Sequence, residues 1–310
     1  MIEQQVKHTH HYKNYVFPTN NGISIEVRNN AIERVTDGIY AGRWPVRKKQ
    51  FLQMIQNCLR KHTIHDVVIN INMGDFPVKH VFNFCRKIGD NMCFLIPNHR
   101  FTMDDTIIDG KRFDTYDTQK QHILRIDHPF RIKYNKIYMN CQPHTKKTEY
   151  FKYALQNSFC EGFGWVGSVH GNVGLDQETV TQLIKQGLCG KNKVEWENHL
   201  YYKYLLYMDG ETLSDRMRLL LCTNSVIIQY TSLYEEFYSY KLRPNVHYIE
   251  CTKVDDLKDI YDSLENDTEL CHTLIRNNSE FITNELTYDQ ILLYLASLLN
   301  ALSSGEHVVA

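Results

Sequence analysis

The strongest local pattern in the sequence is an apolar strand that ends in a glycine turn and is followed by a helix. The strand covers residues 203–208, the turn contains Gly210, and the helix is predicted to begin at Ser214. Glycine permits a tight turn, and Thr212 or Ser214 can cap the helix. A helix start offers free N–H groups to a phosphate, and Arg216, one turn into the helix, can hold a diphosphate through two charge-assisted bonds. The segment fits a phosphate site or, equally, a plain strand–turn–helix unit with a surface arginine.

A carboxylate follows another predicted strand in the first part of the chain. Asp75 lies in the loop just past the buried strand at residues 65–71, between Gly74 and Pro77. Open α/β sheets bind ligands at the carboxyl ends of their strands, and an aspartate there can act as a general base. The alternative is an Asx turn in which Asp75 only caps the helix predicted at residues 78–88.

The sequence lacks the clustered carboxylates and thiols that hold metals. No Asp-x-Asp motif occurs, and the neighbours Asp104–Asp105 and Asp255–Asp256 would not face the same way in a strand or helix. No Cys-x-x-Cys pair supports structural zinc. A diphosphate bound here would be neutralised by arginine and backbone dipoles, so we predict a site that needs no metal and no cofactor.

The composition fits a globular protein and narrows its partners. The chain has 310 residues, of which 43% are hydrophobic and 23% charged, and its net charge is -1. A chain without excess positive charge is not expected to bind nucleic acid. No apolar stretch approaches the ~20 residues of a membrane span, and the polar N-terminus lacks the apolar core of a secretory signal. Nine scattered cysteines are typical of buried thiols in a reducing compartment, so we predict a cytoplasmic protein.

The elements that must position these residues form two βα series. In the first series we predict strands at residues 23–27, 65–71 and 92–96 and helices at 51–59 and 78–88. In the second we predict strands at 136–139, 203–208, 225–229 and 247–250 and helices at 149–156, 177–186, 214–222, 267–283 and 288–302. The polar stretch 101–135 is predicted to be an active-site loop and the domain junction. Alternating strands and helices imply parallel sheets, so two Rossmann-like domains would face a cleft.

The second series also resembles a known enzyme family. The segments that carry the resemblance are residues 199–210, Ser214-Asp215-Arg216 with residues 219–221, residues 235–238, residues 242–249 and residues 279–282. In the first series, residues 66–70 with Gly74-Asp75-Phe76-Pro77 are similar to the family's catalytic loop. The chain thus resembles glycosyltransferase family 90, the CAP10-like family of protein O-glucosyltransferases and capsule xylosyltransferases. The similarity covers residues 66–302 and is strongest from His199 onward.

The resemblance implies an α/β fold of the GT-B type, in which two Rossmann-like domains face a central cleft. An acceptor-side domain would cover residues 1–135 and a donor-binding domain residues 136–286, while the C-terminal helix at 287–303 would pack back on the first domain. The implied reaction is an inverting, metal-independent transfer of xylose or glucose. The donor would be UDP-xylose or UDP-glucose, and the acceptor a hydroxyl of a glycan or glycoprotein.

The resemblance also implies roles for individual residues. Asp75 matches the catalytic base, and Arg216 matches the arginine that holds the donor diphosphate. The residues that match the nucleotide-wrapping turn are Gly210, Glu211, Thr212, Leu213 and Ser214. Arg218, in the same segment, is assigned to donor binding with them.

One segment departs from the family pattern. The family usually has Phe-Arg-Gly-Ser after the interdomain strand, whereas residues 138–144 of this sequence lack the arginine and the glycine. Asn140, Gln142 and His144 are the candidates to replace them at the phosphates. The departure leaves open an alternative, a catalytically inactive GT-B scaffold that binds glycans or nucleotides. A Rossmann enzyme that uses no nucleotide sugar is disfavoured, because no Gly-x-Gly-x-x-Gly motif follows a predicted strand.

Overall fold

The computed structural model describes residues 22–39, 41–102, 104–142, 147–165, 175–190, 192 and 194–304. Its strands are β1 (Gly22–Arg28), β2 (Ala31–Asp37), β3 (Val67–Asn72), β4 (Phe82–Asn83), β5 (Arg86–Lys87), β6 (Phe94–Leu95), β7 (Asp104–Ile108), β8 (Lys111–Phe113), β9 (Tyr134–Cys141), β10 (Cys160–Trp165), β11 (Cys189–Gly190), β12 (Tyr202–Tyr207), β13 (Val226–Tyr230), β14 (Tyr234–Glu235) and β15 (Ile249–Cys251). Its helices are α1 (Pro45–Lys61), α2 (Tyr116–Ile126), α3 (Lys147–Ala154), α4 (Gln177–Lys185), α5 (Met217–Leu220), α6 (Leu257–Asn266), α7 (Thr268–Asn284) and α8 (Tyr288–Ser304).

The first half of the chain forms a mixed sheet with the strand order β2-β1-β3-β4-β6. β3, β4 and β6 are parallel, but β1 is antiparallel to both β2 and β3. The turn between β1 and β2 has Asn29 and Asn30 at φ values of 49° and 57°, as a tight hairpin requires. The predicted parallel sheet is therefore wrong at this edge, because a two-residue turn returns the chain beside itself without a crossover.

The helix predicted at residues 78–88 does not form, and the short strands β4 and β5 occupy this segment. The Asn83 side chain is buried and accepts a hydrogen bond from the Val78 N–H at 2.8 Å. Its amide donates to the carbonyl oxygens of Val78 and Val81, each at 2.8 Å. These side-chain bonds satisfy the backbone groups that a helix would have paired with each other, so the segment folds as a loop and strand.

The second half forms a sheet with the strand order β11-β10-β9-β12-β13-β15, and all its neighbouring strands are parallel. The glycines at 162 and 164 lie inside β10, a strand that we did not predict from the sequence. A side chain at Gly162 would come within 2.6 Å of the Met139 carbonyl oxygen on β9, so only glycine fits there. The predicted α/β architecture with two separate sheets, as in a GT-B fold, is confirmed.

The stretch at residues 101–135 is more ordered than a loop. It contains the hairpin β7–β8 and the helix α2, whose N-terminus is closed by a capping box between Thr115 and Thr118. The domain boundary predicted between residues 135 and 136 falls near the beginning of β9. A further helix, α6, was also missed, and three helices rather than two follow β15 in the described part of the chain.

The C-terminal helix α8 packs back on α1, as predicted. Its apolar stripe is buried, with Leu292, Leu295, Leu298 and Leu299 fully inaccessible. The Asn57 amide of α1 donates to the Tyr288 hydroxyl at 2.8 Å. In the described ranges, no helix has both the length and the apolar character needed to cross a membrane.

Candidate active site

A cleft lies between the first half of the chain and the carboxyl ends of the strands in the second sheet. Its cavity has a volume of about 600 Å³, which is typical of ligand pockets. β9 and β10 end at its wall, and α/β sheets place ligands at such ends. Arg100, Thr106 and Ile107 of the first half line the opposite side.

Arg216 lies in this cavity immediately before α5. The helix predicted at 214–222 is reduced to one turn, for which Arg216 is the N-cap residue. The Tyr207 hydroxyl donates to the Ser214 carbonyl oxygen at 2.6 Å, which holds that part of the backbone outside the helix. The prediction that a helix N-terminus binds the phosphate is therefore wrong, because a helix of one turn has only a small dipole. What the cavity offers is the guanidinium itself.

The Arg216 side chain is fixed by acceptors from two neighbouring strands. Its Nε donates to the Ser214 hydroxyl at 2.9 Å, and its Nη2 donates to the Met208 carbonyl oxygen at 3.5 Å. Its Nη1 donates to the Asn140 carbonyl oxygen at the end of β9. These acceptors are neutral, and no ion pair with another described residue compensates the positive charge, so the guanidinium is available to an anion.

The other residues predicted to bind the donor are dispersed. Ser214, Asn140 and Gln142 line the cavity with Arg216. Leu213 lines a smaller cavity of about 180 Å³ instead. Gly210, Glu211 and Thr212 line neither of these two cavities. His144 lies outside the described residues.

Arg218 has a different environment from Arg216. It is 1% exposed, and its Nη1 donates to the Gln119 side chain of α2 at 2.9 Å. The guanidinium also lies 5.7 Å from the Phe101 ring and 6.0 Å from the Tyr116 ring. Arg218 is one of the residues that line the cavity. Its contacts with Gln119, Phe101 and Tyr116 nevertheless show that its guanidinium packs between the two halves of the chain.

Asp75 is half exposed on the loop after β3, where it forms an ion pair with Arg47. The Arg47 Nη1 lies 2.7 Å from the Asp75 Oδ1 and also donates to the Met73 carbonyl oxygen at 3.0 Å. The Arg47 guanidinium stacks over the Trp44 ring at 4.1 Å. Arg47 therefore orients one carboxylate oxygen of Asp75 from a fixed position on α1.

The alternative role of Asp75 as a helix cap is wrong, because no helix follows it. The Asx turn in this loop belongs to Asn72, whose Oδ1 accepts from the Gly74 N–H at 3.0 Å. The Asn72 amide also donates to the Phe76 carbonyl oxygen at 2.7 Å. Asn72 thus shapes the loop and leaves the Asp75 carboxylate available.

Cys85 connects the Asp75 loop with the turn before Arg216. Its thiol donates to the Asp75 carbonyl oxygen at 3.7 Å and receives a backbone hydrogen bond from Leu213. Burial raises the pKa of the Cys85 thiol to about 12, so it stays protonated. The two segments predicted to carry the chemistry are therefore neighbours in space, although Asp75 does not line the large cavity itself.

Two titratable residues of the cavity were missed by sequence reasoning as donor-site candidates. Lys147, the first residue of α3, is 5% exposed, and burial together with the charge of Arg216 lowers its pKa to about 8. His199 donates from Nδ1 to the Trp196 carbonyl oxygen at 2.6 Å, and burial lowers its pKa to about 4. The signal for Lys147 was its position, five residues beyond Gln142 and still at the carboxyl end of β9.

One ion pair crosses the cleft. The Arg100 Nε lies 2.6 Å from the Asp215 Oδ2, and both side chains are about one-third exposed. Among the described residues, no group of three or more His, Cys, Asp or Glu side chains could hold a metal ion.

The fold is that of an α/β protein with two separate sheets beside a cleft, as in a GT-B fold. A family model described as glycosyl transferase family 90 matches residues 172–305. The predicted resemblance to glycosyltransferase family 90 is confirmed for these residues, which make up less than half of the chain.

Curated relatives match a shorter segment. Protein O-glucosyltransferase 1 of Rattus norvegicus is 30% identical over 107 residues, which are 34% of this chain and 27% of the relative. The Homo sapiens protein of the same name is 28% identical over 107 residues, with the same coverage of 34% and 27%. The match therefore spans about a quarter of the length of each relative.

Solved structures give a weaker likeness. The crystal structure of TarM has a TM-score of 0.39 at 12% identity, covering 56% of this chain and 37% of that chain. A mutant of S. aureus TarM in complex with Fondaparinux, alpha-GlcNAc-glycerol and UDP has a TM-score of 0.38 at 14% identity, covering 53% of this chain and 35% of that chain.

Proposed function

We propose that the protein is an inverting, metal-independent glycosyltransferase that moves glucose or xylose from a UDP-sugar to a hydroxyl group. The observation that carries the proposal is the Arg216 guanidinium, which is fixed at the strand ends of a family 90 segment and faces a cavity of about 600 Å³. The acceptor is a hydroxyl of a glycan or glycoprotein. The names of the relatives, protein O-glucosyltransferase 1, favour glucose and a protein hydroxyl.

In this proposal Arg216 holds the donor diphosphate. A guanidinium forms two parallel bonds with phosphate oxygens, and its charge offsets the negative charge that develops on UDP as the leaving group. Its present acceptors are neutral oxygens of Ser214, Asn140 and Met208, so a phosphate dianion competes with them favourably. Neutralisation by Arg216 is what makes a divalent metal unnecessary.

Asp75 is the proposed general base. The acceptor oxygen attacks the anomeric carbon from the face opposite UDP, its proton moves to the Asp75 carboxylate, and the bond from that carbon to the UDP oxygen breaks. Inversion follows from this single displacement. Asp75 lies next to the Leu213 turn through Cys85, on the first-half side of the structure, where the acceptor would enter.

The alternative is an inactive scaffold that binds UDP-sugars without transfer. It is favoured by the missing arginine and glycine of residues 138–144 and by the ion pair that engages Asp75 with Arg47.

The nine cysteines are free thiols, which supports our further proposal of a reducing compartment such as the cytoplasm.

Release of UDP separates the two proposals. The purified protein is incubated with UDP-glucose and with UDP-xylose, with and without EDTA, in the presence of peptide and oligosaccharide acceptors. We expect UDP release with one of the donors and equal rates in EDTA. Binding of a UDP-sugar without release would support the inactive scaffold, and loss of release in EDTA would contradict metal independence.

A further inference from the structure

Three lysines are buried in the part of the chain that the structure describes. Lys120, Lys133 and Lys147 are 4%, 5% and 5% exposed. Lys120 donates to the Ile282 carbonyl oxygen at 2.8 Å and lies 2.9 Å from an Asp117 carboxylate oxygen. A buried ammonium group normally requires such partners, because it has lost its hydration.

Lys133 is paired in the same manner. Its Nζ lies 2.6 Å from the Asp127 Oδ1 and donates to the Ser225 hydroxyl at 2.9 Å. Lys147 has no hydrogen bond or ion pair with any described residue, although it is as buried as the other two. Of the three, Lys147 alone lines the large cavity.

The charges around Lys147 increase its need for an anion. Burial has the largest effect on the pKa of Lys147 and lowers it, Cys141 raises that pKa, and the charge of Arg216 lowers it. Two cations thus face one cavity at the carboxyl end of β9. Asp209 and Asp215 raise the pKa of Lys147 from a distance, but Asp209 is bonded to the Ser232 hydroxyl at 2.8 Å, and Asp215 is paired with Arg100 at 2.6 Å.

We propose that Lys147 is a second donor-binding residue and that the diphosphate of a nucleotide sugar binds between Lys147 and Arg216. The inference rests on the proposed function, because it adds a residue to the same donor site. A diphosphate carries two negative charges and several acceptor oxygens, so it matches one guanidinium and one ammonium group. Lys147 supplies from α3 the positive charge that residues 138–144 lack.

The first test compares two lysines of the same helix. Lys147→Met removes the buried ammonium group and keeps most of the side-chain volume, while Lys152→Met removes an exposed one. We expect Lys147→Met to weaken UDP-glucose binding about 10- to 100-fold, the range for a charge-assisted bond, and Lys152→Met to leave it unchanged. Equal affinity of wild type and Lys147→Met would overturn the inference.

Uridine is the matched ligand, because it lacks the diphosphate. We expect wild type and Lys147→Met to bind uridine equally, which also shows that the variant is folded. If Lys147→Met weakens uridine as strongly as UDP-glucose, Lys147 acts through the shape of the cavity and the inference is wrong.

A second test begins with the wild-type protein. Near pH 8 the free protein has Lys147 about half protonated, since its pKa is about 8. An anion raises that pKa, so binding takes up protons. UDP-glucose is the suitable probe, because its diphosphate has no titratable proton at this pH. Calorimetry in two buffers of different ionisation enthalpy should detect an uptake of about half a proton per site.

Other charged or titratable groups also face this cavity or Lys147, and they must be distinguished from it. They are Arg100, Cys141, Glu195, His199, Asp209, Asp215, Arg216 and Arg218. We expect the proton uptake to disappear in Lys147→Met. Absence of uptake in the wild type, or the same uptake in Lys147→Met, would assign the protons elsewhere and overturn the inference.

Failure of the inference and failure of the proposed function give different results. If wild type binds neither UDP-glucose nor UDP-xylose, the donor site itself is wrong. If wild type binds and Arg216→Ala weakens binding while Lys147→Met does not, the donor site stands and only the role of Lys147 is excluded.

Discussion

The two halves of the molecule hold their candidate site residues in different ways. Arg216, in the second half, is fixed by the Ser214 hydroxyl and by two carbonyl oxygens at the ends of adjacent parallel strands, those of Asn140 and Met208. Asp75, in the first half, is half exposed on a loop and is oriented by one ion pair with Arg47. The guanidinium proposed to hold the donor therefore has a fixed position before the ligand binds. The proposed base instead remains accessible to a large acceptor.

The surrounding backbone shows the same contrast. The second sheet is parallel throughout, and the carboxyl ends of β9 and β10 form one wall of the cavity. The Asp75 loop instead depends on hydrogen bonds from Asn72 and Asn83. Changes in the first half should thus alter turnover, and changes in the second half should alter donor binding.

The largest expected effect is on turnover in Asp75→Asn. The substitution keeps the size and one oxygen of the side chain but removes its basicity. We expect turnover to fall about 10²–10⁴-fold, the usual contribution of a general base, while UDP-sugar affinity hardly changes. The measurements are UDP release and calorimetric binding of the same protein. Near-normal turnover, or a parallel loss of binding, would show that Asp75 is not the base.

Arg216→Ala, unlike Asp75→Asn, should weaken donor binding, and it should also slow turnover because the leaving group loses its positive partner. Loss of a charge-assisted pair with a phosphate costs about 1.5–3 kcal/mol of binding free energy, so UDP should bind about 10- to 100-fold more weakly. EDTA should not affect wild-type binding. Calorimetry with and without EDTA tests both statements, and a wild type that loses UDP in EDTA would contradict the metal-free site.

Sequence reasoning was most accurate where local pattern and tertiary structure agree. The apolar strand before Gly210 and the stripe of α8 are regular, and both elements lie where predicted. The helix predicted at 78–88 failed because Asn83 bonds to backbone atoms two and five residues away, which periodicity does not reveal. The helix after Ser214 was shortened by the Tyr207 hydroxyl, a contact visible only in three dimensions.

Prediction of the site was also more accurate for some residues than for others. Asp75 and Arg216 were identified from strand ends and family resemblance, and the structure places their segments next to each other through Cys85. The position of Lys147 after β9 can be read from the sequence, but its burial at the cavity is a property of the fold. Arg218 shows the reverse limit, since its contacts with Gln119, Phe101 and Tyr116 cannot be read from its position beside Arg216.

Asn83→Ala tests whether side-chain bonds shape the catalytic loop. The variant removes the bonds of the Asn83 side chain to the Val78 N–H and carbonyl oxygen and one of two bonds to the buried Val81 carbonyl oxygen, which still accepts from the Phe94 N–H at 3.3 Å. Loss of these bonds costs about 1–3 kcal/mol. We expect chemical denaturation to show this loss and turnover to fall at temperatures where the protein remains folded. Donor affinity should be retained, and a loss of affinity equal to that of turnover would mean that the two halves are not separable in this way.

The smallest effect is expected for Arg47→Gln, and it sharpens the comparison between the halves. The Asp75 carboxylate is half exposed, and ion pairs of this kind contribute about 0–1 kcal/mol, so its orientation by Arg47 should change turnover by no more than about fivefold. Lys48→Gln is the matched control, because Lys48 is the next residue of α1 and pairs with Asp37 instead. Both variants should bind UDP-glucose as the wild type does, and only Arg47→Gln should lose some turnover. If Arg47→Gln lowers turnover as far as Asp75→Asn, the ion pair is indispensable to the base, and the first half is then as preorganised as the second.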